Sequence, residues 1–235
     1  LLSSLEPDVV ILAAAYTKVD DSETNKKTAF KVNGEGAGNV AAGCFDARAK
    51  LIFVSTDYVF NGEKEKYVEN DTPSPLNVYG ESKLFGEEQV KKELNEHCIV
   101  RTSWLFGEHG PNFVKSILRA AGSKKELTVV DDQKGAPTYT PDLASAIFHL
   151  LSKGVTGTVH VSNGGECTWF GFAKEILKIY QVSDVRVSPM KSSEFGSPAT
   201  RPSSSVLDCS RYEALTGQKM RPWKDALTAY REGNP

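Results

Sequence analysis

One stretch, from the apolar run at residues 50–55 to Lys83, most constrains what this chain can fold into. The run Lys-Leu-Ile-Phe-Val-Ser is short and apolar, so it predicts a buried β-strand. Thr56 and Asp57 follow directly, where a parallel strand would meet its loop. Because ligands bind at the carboxyl edge of open α/β sheets, we expect both side chains to lie at a binding site.

A helix is predicted after this loop, and it carries Tyr79 and Lys83 four residues apart, on one face. A phenol with a pKa of about 10 exchanges protons poorly at neutral pH, but a nearby cation lowers that pKa. We therefore predict that Tyr79 transfers a proton with the help of Lys83, while the Thr56 hydroxyl holds the reacting oxygen. The Tyr-x3-Lys pattern also arises by chance in many helices, so this prediction depends on Thr56 at the strand end.

Longer motifs around these residues resemble a known enzyme family. The runs Ser-Thr-Asp-Tyr-Val-Phe at 55–60 and Tyr-Gly-Glu-Ser-Lys at 79–83 are similar to the extended short-chain dehydrogenase/reductase family, and within it to the dTDP-4-dehydrorhamnose reductases. Further matches are Arg-Thr-Ser-Trp at 101–104, Asp-Gln-x-Gly-x-Pro-Thr at 132–138 and Ala-x-Arg-Pro at 199–202.

The resemblance implies reduction of dTDP-4-dehydro-β-L-rhamnose to dTDP-β-L-rhamnose, with NADP or NAD as cofactor, in nucleotide-sugar and cell-surface polysaccharide biosynthesis. Tyr79 would donate the proton, and Lys83 would lower the Tyr79 pKa and bond the cofactor ribose. The implied substrate contacts are Thr56, Asp57, Trp104 and Arg201, with Arg201 near the nucleotide phosphates, where a guanidinium suits bidentate contact. The implied cofactor contacts are Ala14, Ala15, Tyr16, Tyr79 and Lys83.

The start of the chain departs from the family pattern. A strand is predicted at residues 8–12, but the glycine-rich phosphate loop that should accompany a first strand is not found. The glycine-rich run at 34–38 follows a helical, charged segment, so we interpret its glycines as letting a helix pack closely on the sheet. We therefore expect a Rossmann-like, doubly wound parallel sheet of the α/β class, without its N-terminal part, and a smaller mixed α/β substrate lobe.

Residues 1–107 are predicted to form the incomplete NAD(P)-binding part. Residues 108–235 are predicted to form mostly the substrate-binding lobe, with some chain returning to the sheet. Asn33 lies in a helix predicted from about residue 23 to 48, where an amide side chain is a poor helix former. Two interpretations of Asn33 stay open: a solvated side chain, or, as the resemblance implies, a residue that helps to hold the catalytic region.

The composition is that of an ordinary globular protein. The net charge is −2, with 40% hydrophobic and 25% charged residues, so neither a nucleic acid nor a membrane is an expected partner. No apolar run approaches the roughly 18 residues that span a bilayer. The four cysteines contain no C-x-x-C pair, which favours free thiols and a cytoplasmic protein. We expect a monomer or homodimer.

No metal site is predicted, because the four histidines are scattered and lack metal-binding spacing. Some members of the family that this chain resembles use Mg²⁺ through interface glutamates, an alternative that this sequence does not support. Two other functions stay open: a related sugar-nucleotide epimerase or dehydratase, and a non-catalytic regulatory subunit like that of methionine adenosyltransferase. Trp104 and the 131–138 loop weigh against both.

Overall fold

The computed structural model describes residues 2–234. Its strands are β1 Val9–Leu12, β2 Lys50–Thr56, β3 His97–Thr102, β4 Leu105–Phe106, β5 Glu126–Val130, β6 Lys134–Gly135, β7 Thr138–Tyr139, β8 Gly157–His160, β9 Cys167–Thr168 and β10 Arg186–Met190. Its α-helices are α1 Leu2–Leu5, α2 Val19–Thr24, α3 Lys26–Phe30, α4 Gly36–Ala47, α5 Val78–Glu93, α6 Phe113–Ala121, α7 Thr140–Ser152, α8 Trp169–Ile179, α9 Ser192–Phe195, α10 Ser210–Thr216 and α11 Trp223–Gly233.

The main sheet consists of four parallel strands in the order β1-β2-β3-β8. The middle of β2 is fully buried on both faces, as its continuous apolar run predicts. One face packs against α4 and α5, and the other packs against α7 and α10. The register places Thr56 of β2 opposite Thr102 of β3, so both strands end at the same edge. The predicted α/β class with a Rossmann-like parallel sheet is confirmed.

A second hydrophobic core lies away from the main sheet. It is built from α6, α8 and α11 around the parallel pair β5 and β10. Between these segments the chain runs back to the main sheet through α7 and β8. The division into two parts at residue 107 therefore stays a prediction. Residues after 107 contribute side chains to both hydrophobic cores. Within residues 2–234, no helix is long and apolar enough to cross a membrane.

The glycine-rich run lies in helical structure rather than in a loop. A π-helical turn, Lys31–Glu35, leads directly into α4. A Cβ atom added to Gly34 would lie 2.2 Å from the Phe85 ring, and one added to Gly38 would lie 3.1 Å from Gln89. Phe85 and Gln89 both belong to α5. The prediction that these glycines pack against the sheet is therefore wrong, because they pack against α5. These glycines let two neighbouring helices approach each other on the same face of the sheet.

We predict that Gly34→Ala lowers the free energy of unfolding by ~1–3 kcal/mol, because its methyl group would overlap the Phe85 ring. Gly36→Ala is the matched control in the same run. Its Cβ would meet nothing closer than the Lys31 carbonyl oxygen at 3.4 Å, so the gain in helix propensity leaves stability unchanged or raised. Urea unfolding of both variants measures the difference, and equal stabilities would contradict this packing.

Candidate active site

Thr56 and Asp57 form a buried polar corner at the end of β2. The Thr56 hydroxyl accepts from the Tyr58 amide at 3.2 Å and donates to Asp57 Oδ1 at 3.1 Å. The Ser205 hydroxyl donates to the other oxygen of Asp57. Burial raises the pKa of Asp57 to about 7, against the lowering effect of these hydrogen bonds. Both carboxyl oxygens of Asp57 are thus bonded within the protein, and its role as a substrate contact stays a prediction.

Tyr79 lies in the first turn of α5, at the same corner. The Asn77 side chain caps this helix by accepting from the Gly80 amide at 2.8 Å, and it donates to the Thr200 carbonyl at 2.8 Å. Burial raises the pKa of Tyr79 to about 12, although the neighbouring Thr56 hydroxyl lowers it in part. The phenol therefore keeps its proton at neutral pH.

Lys83 lies one turn further along α5, with 2% of its surface exposed. Its ammonium group donates to the Val54 carbonyl at 2.8 Å and lies 4.0 Å from the centre of the Phe53 ring. Burial lowers the pKa of Lys83 to about 8, which the charge of Glu87 partly offsets. The predicted lowering of the Tyr79 pKa is wrong for this arrangement, because burial raises that pKa and Lys83 is not among the groups that lower it. Lys83 is directed at the backbone of β2.

Sequence reasoning missed a buried ion pair directly beneath this corner. Glu87 accepts from Arg101 Nε at 2.9 Å, from Arg101 Nη2 at 2.7 Å and from the Ser55 hydroxyl at 2.6 Å. Arg101 Nη1 lies 3.4 Å from His160 Nε2, and burial lowers the pKa of His160 to about 3. A neutral His160 can accept from the guanidinium. The only sequence signal was Glu87 standing four residues after Lys83, on the same helix face.

Asn33 is buried, so the solvated interpretation is wrong. Its side chain accepts from the Tyr16 amide at 2.7 Å and donates to the Tyr16 carbonyl at 3.0 Å. It also donates to the Ser82 hydroxyl of α5 at 2.9 Å. Asn33 thus ties the segment after β1, which holds the cofactor candidates Ala14, Ala15 and Tyr16, to the helix that carries Tyr79.

Trp104 takes part in an aromatic stack that the sequence did not reveal. Its ring lies 3.5 Å from that of Trp169, with 7° between the planes. The Trp104 backbone has a φ of +47°, in the left-handed region, and a Cβ on Gly135 would lie 2.4 Å from the indole. Trp169 is the first residue of α8, and nothing local to it in the sequence indicates the stack.

A cavity of about 560 Å³ lies next to this stack. Trp169, Phe113 and Phe195 give it aromatic walls, and Gln133 and Arg201 give it polar ones. This combination of an apolar lining with a few polar groups is typical of small-molecule sites.

Arg201, which lines this cavity, is already paired with a carboxylate. Its Nη1 donates to Asp20 Oδ1 at 3.0 Å, and its Nη2 donates to Asp20 Oδ2 at 2.9 Å. The bidentate edge that we had assigned to nucleotide phosphates is therefore used by Asp20 in this structure. The contact of Arg201 with phosphates stays a prediction. With Nη1 and Nη2 bonded to Asp20, that contact would be made through the Nε side of the guanidinium.

Within residues 2–234, no group of three or more His, Cys, Asp or Glu side chains is arranged to hold a metal ion. That part of the chain therefore contains no cluster to which Mg²⁺ can be assigned.

Comparisons with known proteins agree over nearly the whole chain. The family model described as the RmlD substrate binding domain matches residues 1–233. The spore coat polysaccharide biosynthesis protein SpsK of Bacillus subtilis is 40% identical over 226 residues, which are 96% of this chain and 79% of that protein. The dTDP-4-dehydrorhamnose reductase of Sinorhizobium fredii is 37% identical over 231 residues, which are 94% of this chain and 78% of that protein. A crystal structure of dTDP-4-dehydrorhamnose reductase from Bacillus anthracis in complex with NADP is similar with a TM-score of 0.96 at 42% identity, covering 99% of this chain and 83% of that one.

We predict that the stabilising effect of His160 is lost in acid. Its pKa is about 3 in the folded state and about 6.5 when unfolded. Between these pH values the unfolded chain binds more protons than the folded one, so the folded state loses stability as the pH decreases. In His160→Gln, the amide oxygen can still accept from Arg101 but does not titrate. The stability difference between the wild type and this variant should shrink by about 1.4 kcal/mol per pH unit below pH ~6. Urea unfolding at several pH values measures this difference. A stability difference that does not change with pH would contradict the lowered pKa of His160.

Proposed function

This chain belongs to the RmlD substrate-binding domain family, and from that premise we propose that it is an NAD(P)H-dependent dTDP-4-dehydrorhamnose reductase. It reduces the ketone of dTDP-4-dehydro-β-L-rhamnose to give dTDP-β-L-rhamnose. The observation that carries the proposal is the convergence of Thr56, Tyr79 and Lys83 at the carboxyl edge of β2. Thr56 can hold a ketone oxygen, Tyr79 can protonate it, and Lys83 can bind the cofactor beside them.

The residues at this edge fit a nicotinamide cofactor, which supplies the hydride when it is bound. Ala14 is exposed and Ala15 is half-buried just after β1, so no bulky side chain keeps a flat ring from the backbone. The Lys83 ammonium has three N–H groups and gives one to the Val54 carbonyl, which leaves donors for ribose hydroxyls. We assign cofactor contacts to Ala14, Ala15, Tyr16, Tyr79 and Lys83.

Proton transfer falls to Tyr79 in the direction of reduction. Because burial keeps its pKa at about 12, the phenol is protonated and can donate to the ketone oxygen as negative charge develops there. The Thr56 hydroxyl gives its one proton to Asp57 Oδ1 in this structure, and we assign it to turn that proton to the same ketone oxygen when the substrate is bound. Lys83, one turn further along α5, donates to the Val54 carbonyl and is assigned to the cofactor ribose rather than to the phenol.

We assign the dTDP part of the substrate to the 560 Å³ cavity. Its aromatic side chains Phe113, Trp169 and Phe195 suit a thymine ring, and Arg201 suits a diphosphate. Trp104 and Asp57 remain our predicted contacts to the sugar. A cytoplasmic location and a monomeric or homodimeric state likewise stay predictions.

The direct experiment mixes the purified full-length protein with dTDP-4-dehydrorhamnose and follows the loss of NADH and NADPH in parallel. Oxidation of the cofactor with formation of dTDP-rhamnose is expected, and the two rates give the cofactor preference. Turnover without net loss of reduced cofactor would indicate an epimerase. Bound cofactor without turnover would favour the regulatory-subunit alternative.

We predict that Tyr79→Phe lowers kcat by roughly 100-fold or more, because it removes the proton donor. The Kd for NADPH should change less than about twofold, since the ring and Lys83 are kept. Tyr180→Phe is the matched control, because it removes a hydroxyl that contacts the Asn234 carbonyl in the second core. Steady-state kinetics and cofactor titration measure both effects, and an active Tyr79→Phe enzyme would overturn the assignment.

A further inference from the structure

The carboxylate of Asp20, which takes no part in the proposed chemistry, holds one wall of the cavity. Besides the two bonds from Arg201, it accepts from the Ser197 hydroxyl at 2.5 Å and from the Ala199 amide at 3.2 Å. Residues 197 and 199–201 all line the cavity. One side chain of α2 therefore anchors a wall segment that lies about 180 residues further along the chain.

The anchor is charged and persistent. Its hydrogen bonds, above all those from Arg201, lower the pKa of Asp20 to about 2, so the carboxylate stays ionised across the neutral range. Four donors reach this carboxylate, three of them at Oδ1 and one at Oδ2. Arg201 also donates to the Ala199 carbonyl at 3.2 Å, which closes the wall segment on itself.

We propose that Asp20 is a positioning residue for nucleotide-diphosphate recognition. It holds the Nη1–Nη2 edge of Arg201 and so fixes the guanidinium in the cavity wall, with its Nε edge outside the ion pair and the Tyr58 hydroxyl beside it. An arginine that is ordered before binding loses less entropy when a phosphate arrives. This inference rests on the proposed function, because it takes the dTDP group as the occupant of the cavity.

The negative charge of Asp20 repels an anion in the cavity and so weakens its binding. The ordering of Arg201 by Asp20 has the opposite effect and strengthens binding. We infer that ordering has the larger effect, because Ser197, Ala199 and Arg201 lose their common anchor together when Asp20 is removed. The pair is also partly exposed to solvent, which screens the charge.

The test measures binding of dTDP to the full-length protein by isothermal titration calorimetry. Asp20→Asn is expected to raise the Kd for dTDP roughly five- to tenfold. The KM for the sugar nucleotide should rise by a similar factor, while kcat and the Kd for NADPH change less than about twofold. Asp20→Glu keeps the charge but displaces the bidentate contact by one methylene group, and it should weaken dTDP binding as well.

Asp142→Asn is the matched control. Asp142 makes a comparable bidentate pair with Arg221, at 2.7 Å to both Nε and Nη2, and neither residue lines the cavity. Its loss should leave the Kd for dTDP unchanged. Thermal unfolding of all three variants checks that each is folded under the conditions of the titration.

Three results would overturn the inference. An unchanged Kd for dTDP in Asp20→Asn would mean that the wall needs no anchor. Tighter binding in Asp20→Asn would mean that Asp20 competes with the ligand for Arg201. Failure of the wild type to bind dTDP would mean that the cavity is not a dTDP-binding site. If the wild type binds dTDP and Asp20→Asn weakens it, but no ketone is reduced, the proposed reaction fails and the role of Asp20 stands.

Discussion

The buried ion pair of Glu87 and Arg101 is the interaction on which the arrangement of this site depends. It joins α5 to β3, and the Ser55 hydroxyl extends it to β2. Removing one member would leave an uncompensated charge in the interior, which is strongly destabilising. Ser55 directly precedes Thr56, and Glu87 lies about two turns after Tyr79 on the same helix. The contact that holds the helix to the sheet therefore also sets where the phenol lies relative to the end of β2.

The parts of the site that the sequence predicted are those that depend on local geometry. A continuous apolar run predicts a buried strand, its last residues mark the binding edge, and a spacing of four places Tyr79 and Lys83 together. The direction of the Tyr79 pKa could not be obtained in this way. It depends on how deeply the phenol is buried and on where the Lys83 ammonium is directed, and both are set by the packing of α5 on the sheet.

The parts that the sequence did not predict are contacts between distant segments. The stack of Trp104 on Trp169 and the pairing of Asp20 with Arg201 join residues that no local pattern relates. Asn33 lies between these two cases. Its poor fit to a helix was visible in the sequence, and the structure places it in a π-helical turn, where its buried amide bonds both Tyr16 and α5.

The indole stack also has an optical consequence. The chain contains three tryptophans, and two of them, Trp104 and Trp169, lie face to face at 3.5 Å. Aromatic rings this close share their excited states, so their emission and near-ultraviolet circular dichroism depend on the geometry of the pair. Since Trp169 also forms part of the cavity wall, we expect the fluorescence of the pair to change when a ligand enters that cavity. No label has to be attached to follow a ligand entering or leaving.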